Sequence, residues 1–331
     1  MNIQTTTVEN SPAYNSWPMC QVLNDRIVCT YSRGEKHDIT EPSRAVYVRS
    51  SSDKGKTWGA ETLVCNTPDC ADVPIGKGLD ENGNMLLWVR AGNKNYKYRH
   101  TLYRTSDGVN WEYVTESGLP DAVVQITDVL HVPGVGLMAF WFAGNYSGNP
   151  RNYWGKIVSA DNGKTWQWEI IEDNLSIQEW VTEPSAVYLD NGRILIIART
   201  ECDQKTFVAG QFQITSTDNG KTWKKSRTNI LDVFCSTPSV LYDAKSNMLY
   251  NYYYYRGHGL LNCRVADADF IFDKPDRWAE PVTVTTGSRC PFDAGNVNAA
   301  MLGSDHVLAW YSGEFPHTEI LVSLVPQKTF Q

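Results

Sequence analysis

The chain has 331 residues, a formal net charge of −7 and a hydrophobic fraction of 42%. An acidic chain without a basic stretch argues against nucleic acid as a partner, and no apolar run approaches the length that spans a bilayer. No linker or low-complexity run divides residues 1–331, so one domain is expected. Residues 1–30 lack a basic segment followed by an apolar one, so no secretory signal peptide is visible.

A turn motif repeats at a nearly fixed interval. Ser-Ser-Asp-Lys-Gly-Lys-Thr-Trp at 51–58 returns almost intact at 159–166 and 216–223, with a shortened copy at 105–111. The motif aspartates follow one another at intervals of 54, 54 and 57 residues. Such a period indicates one supersecondary unit stacked several times.

Six apolar strands follow the same period. They occupy residues 26–31, 85–89, 137–142, 193–198, 248–255 and 306–311. Their continuous hydrophobicity is typical of strands buried on both faces, and we expect them to be the innermost strands of their units. Alternating strands such as 45–49 and 210–214 lead into the turns. The pattern predicts an all-β, six-bladed β-propeller, with a strand near residues 5–9 completing the sixth blade and closing the ring.

The repeated turn resembles the Asp box of the sialidase (neuraminidase) superfamily, and this resemblance covers nearly the whole chain. It implies a propeller with Asp-box turns. Within that superfamily the aspartate and tryptophan of the box are structural, so no catalytic role is expected for Asp53 or Trp58.

Arginine occupies the same place after four of the six apolar strands: Arg33, Arg90, Arg199 and Arg256. If these strands line the channel, their ends meet at one mouth. Several guanidinium groups near one axis are costly without an anion to share, so a carboxylate-binding pocket is predicted. The alternative for each arginine is an ion pair that joins neighbouring blades.

Acidic residues lie close to the same strand ends. Glu183, Asp72, Asp128 and Asp293 precede apolar strands, while Glu35 and Asp38 follow Arg33. Two acids beside a cationic pocket suit glycoside cleavage, in which one protonates the leaving oxygen and the other activates water or a nucleophile.

The resemblance to sialidases extends to particular residues. It matches Arg33, Arg199 and Arg256 to the three arginines that hold the sugar carboxylate, because Arg33 follows the first apolar strand, Arg199 follows Glu183 by sixteen residues and Arg256 follows the Ser-Thr-Pro segment at 236–238. In the leading hypothesis Arg199 and Arg256 bind the carboxylate, and Arg33 and Arg90 assist. It also implies that Asp38 donates a proton and that Glu183 acts as base, with Glu35 as a rival to Asp38. Asp72 and Asp293 are further predicted contacts to the sugar.

Two positions depart from the sialidase pattern. Ser16 stands where the family's first arginine is expected, and Asn296 stands where its nucleophilic tyrosine is expected. Asparagine cannot form the covalent glycosyl intermediate, so inversion through a water activated by Glu183 is the simpler prediction. Phage endosialidases resemble this chain in both departures.

Aromatic residues are abundant and serve either inter-blade packing or sugar stacking. Trp180, three residues before Glu183, is the predicted stacking platform, and Tyr255 and His258 are predicted contacts. His37 and His258 lie in loops just past Arg33 and Arg256, where either could assist as acid or base.

The eight cysteines have no zinc-site spacing, and neither a metal nor a cofactor is indicated. Cys65 and Cys70 flank a turn and could pair if oxidised, but reduced thiols are favoured. The leading hypothesis is a hydrolase acting on an acidic glycan. A glycan-binding propeller without activity and a uronate lyase remain as alternatives.

Overall fold

The structure is a computed structural model that describes residues 3–145, 150–201, 210–286, 288 and 296–330. The described residues form six antiparallel sheets that are the blades of a β-propeller. The first strand in the chain is β1 (Gln4–Glu9). It pairs with the last strand of the sixth blade, which confirms the predicted ring closure by an N-terminal strand.

The first three blades follow in chain order. Blade 1 contains β2 (Tyr14–Leu23), β3 (Arg26–Gly34), β4 (Ala45–Ser51) and β5 (Thr62–Cys65). Blade 2 contains β6 (Ala71–Leu79), β7 (Met85–Gly92), β8 (Tyr98–Thr105) and β9 (Glu112–Glu116). Blade 3 contains β10 (Val123–Ile126), β11 (Leu130–Val132), β12 (Gly136–Ala143), β13 (Asn152–Ser159) and β14 (Gln167–Leu175).

The other three blades complete the ring. Blade 4 contains β15 (Val181–Tyr188), β16 (Ile194–Thr200), β17 (Gln211–Ser216) and β18 (Lys224–Arg227). Blade 5 contains β19 (Ser239–Asp243), β20 (Met248–Tyr255), β21 (Leu260–Asp267) and β22 (Val282–Thr286), with helix α1 (Ala268–Asp273) after β21. Blade 6 contains β23 (Asn298–Leu302), β24 (Asp305–Glu314), β25 (His317–Pro326) and β1, followed by a 3-10 turn (Gln327–Phe330).

The first strand of each blade, rather than the apolar second strand, lies next to the central channel. First strands of neighbouring blades contact one another directly: the Gln125 side-chain amide donates to the Ile75 carbonyl at 3.2 Å and the Val240 amide to the Ser185 hydroxyl at 3.0 Å. The prediction that the apolar strands are innermost is therefore wrong. Those strands are the most apolar because they have a strand on either side and a blade against each face.

Three of the four repeated turns share one hydrogen-bonding pattern. In the first, the Asp53 carboxylate accepts from the Thr57 amide at 3.0 Å and from the Thr57 hydroxyl at 2.7 Å. Asp161 and Asp218 bind Thr165 and Thr222 in the same way. These turns join the third and fourth strands of their blades, so their aspartates hold the outer edge of the propeller.

No helix within the described ranges is long and apolar enough to span a membrane.

The innermost strands of blades 2 and 3 approach so closely that glycine is required. A Cβ atom placed on Gly76 would lie 2.2 Å from the Thr127 carbonyl oxygen, whereas one on Gly59 would lie 3.4 Å from its nearest neighbour.

We expect Gly76→Ala to lower the free energy of unfolding by about 1–3 kcal/mol through overpacking, measured by chemical denaturation. Gly59→Ala is the matched control, and equal stability of the two variants would contradict this account.

Candidate active site

A cavity of about 290 Å3 opens at one end of the channel. Its charged and polar lining, together with one tryptophan, comprises Trp17, His37, Arg90, Gln125, Glu183, Arg199, Arg256 and Asn296. The rest of its lining is apolar: Met19, Ile39, Val73, Pro74, Ile75, Val124 and Phe142. The structure thus brings together three of the four predicted arginines, the predicted base and the asparagine at the expected tyrosine position.

Arg90 and Arg256 are held by backbone carbonyls rather than by acids. Arg90 donates to the Val124 carbonyl at 2.9 Å, and Arg256 donates to the Cys235 carbonyl at 3.1 Å. Neither arginine forms an ion pair with a carboxylate of the described residues. Burial lowers the pKa of Arg90, which nevertheless stays charged at neutral pH because an arginine titrates far above it. Both groups can therefore accept an anionic ligand.

Arg199 lies between two carboxylates. Its guanidinium is 2.8 Å from Glu183 and 3.0 Å from Glu201, and all three side chains are largely buried. Glu183 also accepts a hydrogen bond of 2.7 Å from the Thr237 hydroxyl. Burial alone would raise the pKa of Glu183, but the charge of Arg199, the bonds from Thr237 and Arg199 and the charge of Arg256 lower that pKa below its ordinary value. Glu183 is therefore a carboxylate at neutral pH, suited to accepting a proton.

Glu183 reaches the cavity through a local distortion of the innermost strand. The pairing of β15 with β16 shifts between Thr182 and Ser185, and Glu183 has a φ of 45°. Bulges re-aim side chains, and a left-handed backbone at a residue other than glycine is strained and typical of functional sites. The innermost strand is a sheet edge, which tolerates Pro184 because an edge can lose a ladder hydrogen bond.

Trp17 repeats this arrangement in blade 1. The pairing of β2 with β3 shifts between Ser16 and Met19, Trp17 has a φ of 51°, and Pro18 follows it. The side chain of Trp17 therefore lines the cavity although its backbone belongs to a strand.

Arg33 does not line the cavity, contrary to prediction. It donates two hydrogen bonds to the Glu61 carboxylate, at 2.7 and 2.8 Å, and lies 4.0 Å from Glu9 of β1. Side chains alternate between the two faces of a strand, and Arg33 is on the face turned to blade 6. Arg90 is on the other face of its strand, turned to blade 3. The alternative of an inter-blade ion pair fits Arg33.

Asp38 also lies outside the cavity lining. Its carboxylate accepts from the Thr40 amide at 2.9 Å and from the Thr40 hydroxyl at 2.8 Å, and it pairs with Lys36 at 3.5 Å. Burial raises its pKa, but these bonds and the charge of Lys36 together lower it overall. The carboxyl of Asp38 is thus turned away from the cavity, which its neighbours His37 and Ile39 line.

Other predicted contacts are placed elsewhere. Trp180 is fully buried and packs edge-on against Phe142, with ring centroids 5.9 Å apart, so it cannot stack on a sugar. Asp72 is fully buried and accepts from the Thr67 amide at 2.5 Å. Tyr255 stacks on His258 at 4.0 Å, and neither lines the cavity.

Of the three remaining predicted acids, the structure describes two. Asp293 lies outside the described residues. Glu35 is exposed and outside the cavity lining. Asp128 lies deeper in the channel, where it pairs with Lys77 at 3.4 Å.

Arg44 is the residue that the sequence analysis missed. It is fully buried and donates to the hydroxyls of Ser16 and Ser32, at 3.1 and 3.2 Å. Its guanidinium lies 4.6 Å from the Trp17 ring, and burial lowers its pKa to about 10. Ser16, at the position of the expected first arginine, thus contacts a guanidinium that comes from the start of β4. Arg44 sits outside the 55-residue arginine pattern, so that pattern could not reveal it.

Cysteine chemistry is separate from this cavity lining. Cys65 and Cys70 are both free thiols, and Cys235, whose carbonyl receives Arg256, is disulfide-bonded. Among the described residues no group of three or more histidine, cysteine or acidic side chains is placed to hold a metal ion.

Fold and cavity together define a six-bladed β-propeller with a cationic pocket at one end of its channel. Similar structures include a protein of unknown function from Dyadobacter fermentans, with a TM-score of 0.78, 16% identity and 98% coverage of both chains. The Hadza microbial sialidase Hz136 has a TM-score of 0.71 and 15% identity, over 95% of this chain and 66% of that one. Trypanosoma rangeli sialidase in complex with 2,3-difluorosialic acid has a TM-score of 0.67 and 11% identity, over 95% and 54%.

These similarities establish the fold and leave the activity open, since the identities are low. This chain spans about half to two thirds of the length of those two sialidases. No protein-family model matches the sequence. No curated protein matches it either.

The pairing of Arg33 with Glu61 predicts a role in stability. Arg33→Gln removes two charge-assisted hydrogen bonds, so we expect the free energy of unfolding to fall by about 1–3 kcal/mol, measured by urea denaturation. Arg277→Gln changes an exposed arginine 3.9 Å from its sequence neighbour Asp276 and is the control. A stability equal to that of the control would show that the Glu61 pair contributes nothing.

Proposed function

We propose that the protein hydrolyses the glycosidic bond of a carboxylate-bearing sugar, which it binds in the cavity at the end of the channel. One observation carries this proposal. Arg90 and Arg256 reach the same cavity as an ionised Glu183, and neither forms an ion pair with a carboxylate of the described residues. A cavity that holds two such guanidinium groups beside a base suits an anionic substrate and an acid–base reaction.

The charges of the cavity favour an anion despite the net charge of the chain. Arg90, Arg199 and Arg256 face two carboxylates, those of Glu183 and Glu201, which leaves one positive charge in excess. A substrate carboxylate would compensate that charge, and the planar guanidinium fork matches carboxylate geometry. The complex of Trypanosoma rangeli sialidase with 2,3-difluorosialic acid shows that a propeller of this fold binds an acidic sugar derivative.

Glu183 is assigned the role of general base. Its lowered pKa leaves the carboxylate able to take a proton from water. No tyrosine is among the described residues that line the cavity, and Asn296 lies in its wall. Direct attack of the activated water, with inversion at the anomeric carbon, requires no covalent nucleophile.

A glycan-binding protein without activity is the second candidate. It is favoured by the position of Asp38, whose carboxylate is engaged by Thr40 and lies outside the cavity lining. In that case the arginines bind an acidic sugar, and Asp38 does not donate a proton to the leaving oxygen.

Hydrolysis assays separate the two candidates. We expect the wild type to cleave at least one of a panel of 4-methylumbelliferyl glycosides that includes sialic acid and glucuronic acid. Glu183→Gln should lower kcat by about 10²–10⁴-fold, the usual contribution of general base catalysis, measured by fluorescence. Glu35→Gln changes an exposed acid outside the lining and is the control. Binding of the glycosides by calorimetry without turnover by the wild type would favour the glycan-binding protein.

Recognition of the carboxylate is tested separately. We expect Arg256→Gln to raise KM by about 10–100-fold, because the loss of one charge-assisted contact costs about 1.5–3 kcal/mol. Arg33→Gln should leave KM within twofold of the wild type, since Arg33 pairs with Glu61 outside the cavity. Steady-state kinetics on the glycoside that the wild type cleaves best measure both values. Equal effects of the two substitutions would argue against carboxylate binding by Arg256.

A further inference from the structure

A second and smaller space, the inner cavity, adjoins the main cavity at the end of the channel. It measures about 30 Å3, and its polar lining includes Gln125, Thr127, Asp128, Glu183, Thr237 and Asn296. Gln125, Glu183 and Asn296 line the main cavity as well, so the two spaces meet at these side chains. Asp128 also lines a cavity at the opposite end of the channel. The inner cavity therefore lies deeper along the channel than the main cavity.

The size and polarity of the inner cavity suit water. A space needs roughly 10–15 Å3 to hold one water molecule, and the water needs two to four polar partners. The inner cavity is therefore large enough for one or two water molecules and too small for a sugar ring. Two of its polar side chains are already engaged: the Thr127 hydroxyl accepts from the Phe140 amide at 3.1 Å, and Asp128 accepts from the Lys77 amide at 3.0 Å.

Three side chains that line both cavities keep unused hydrogen-bonding groups. Glu183 accepts the bonds from Arg199 and Thr237 on one atom, Oε2, and its Oε1 atom accepts none from the described residues. The side-chain amide of Asn296 forms no hydrogen bond with a described residue. Gln125 donates from its amide nitrogen to a carbonyl of blade 2, and its side-chain oxygen accepts nothing from the described residues. Polar groups in such positions are commonly satisfied by ordered water.

We infer that the inner cavity holds the water molecule that attacks the sugar, and that Asn296 and Gln125 position this water against Glu183. The inference deepens the proposed hydrolysis and rests on it. A water bound there donates one proton towards Glu183 Oε1 and the other towards the side-chain oxygen of Asn296 or Gln125. Its lone pair is then directed into the main cavity. The leaving oxygen faces the mouth of the channel, on the opposite side of the sugar from the water, as inversion requires.

The step balances with this water and Glu183. The water oxygen forms a bond to the anomeric carbon, one water proton passes to Glu183 Oε1, and the bond from that carbon to the glycosidic oxygen breaks. The departing oxygen keeps the electron pair of the broken bond and takes a proton from solvent, to which Glu183 then returns its own. Asn296 and Gln125 exchange no proton. They are positioning residues, because they act through the water.

Replacement of Asn296 should slow the reaction without weakening the binding of substrate. We expect Asn296→Ala to lower kcat about 10–100-fold, because a misplaced reactant is costly, and to leave KM within twofold of the wild type. Steady-state kinetics on the 4-methylumbelliferyl glycoside that the wild type cleaves best measure both values. Asn95→Ala changes an exposed asparagine outside both cavities and is the matched control. Thermal midpoints by calorimetry should be the same for both variants.

A second variant tests whether Asn296 lies against Glu183. In Asn296→Asp a new carboxylate beside Glu183 should raise the pKa of that glutamate. Because the reaction needs ionised Glu183, the acidic limb of kcat/KM should move to higher pH by about one unit. Asn95→Asp should leave the limb unchanged. The titratable and charged groups already near Glu183 are the same in both variants: His37, Arg90, Asp128, Arg199, Glu201 and Arg256.

The outcomes separate the inference from the function beneath it. A wild-type kcat in Asn296→Ala, or an acidic limb that Asn296→Asp does not move, would overturn the inference and leave the proposed hydrolysis standing. A rise in KM with unchanged kcat would show that Asn296 binds the sugar rather than the water, and would overturn the inference too. If Asn296→Ala is unfolded, the pH profile of Asn296→Asp decides the inference by itself. A wild type that cleaves no glycoside of the panel would overturn the proposed function, and the inference with it.

Discussion

The cavity depends on how the innermost strands bend where they reach the end of the channel. In blades 1, 2 and 4 the pairing of the first strand with the second is interrupted by a shift in register. Pro18 and Pro184 lie within the interruption, and Pro74 lies at its edge. The innermost strand is a sheet edge, so the lost ladder bonds are tolerated. The bends change the direction in which side chains of the innermost strands point. Trp17 and Glu183 take left-handed backbone conformations that aim their side chains at the cavity.

A second constraint is the two-residue alternation of the next strands outward. It lets Arg90 and Arg199 reach the cavity from β7 and β16, and it turns Arg33 of β3 towards blade 6. Blade 1 therefore supplies no cavity arginine from its second strand. Arg44 enters the space beside Ser16 and Ser32 instead. Its guanidinium donates to the hydroxyls of both serines and to the carbonyl of Asp38, in the loop that carries His37.

The repeat explains why the fold was predictable and the site only partly so. A period near 55 residues with apolar strands predicts the blades, and equivalent strand ends predict Arg90, Arg199 and Arg256 at the cavity. Glu183 is predicted from its place before an apolar strand and from the resemblance to sialidases. The pattern does not show which face of its strand each residue occupies. A strand that is apolar throughout gives no sign of which face a terminal Arg33 occupies. Nor does composition distinguish a packed Trp180 from an exposed one, or show whether Asp38 or His37 of one short loop faces inward.

The electrostatics of the cavity give a physical reason why a second carboxylic acid placed there would be a poor proton donor. Positive charge favours the ionised form of a carboxyl, as the lowered pKa of Glu183 beside Arg199 and Arg256 shows. An aspartic acid placed among three guanidinium groups would be ionised before it could donate. The same arginines that would bind a sugar carboxylate therefore keep Glu183 ionised, which suits it to act as a base rather than as the proton donor.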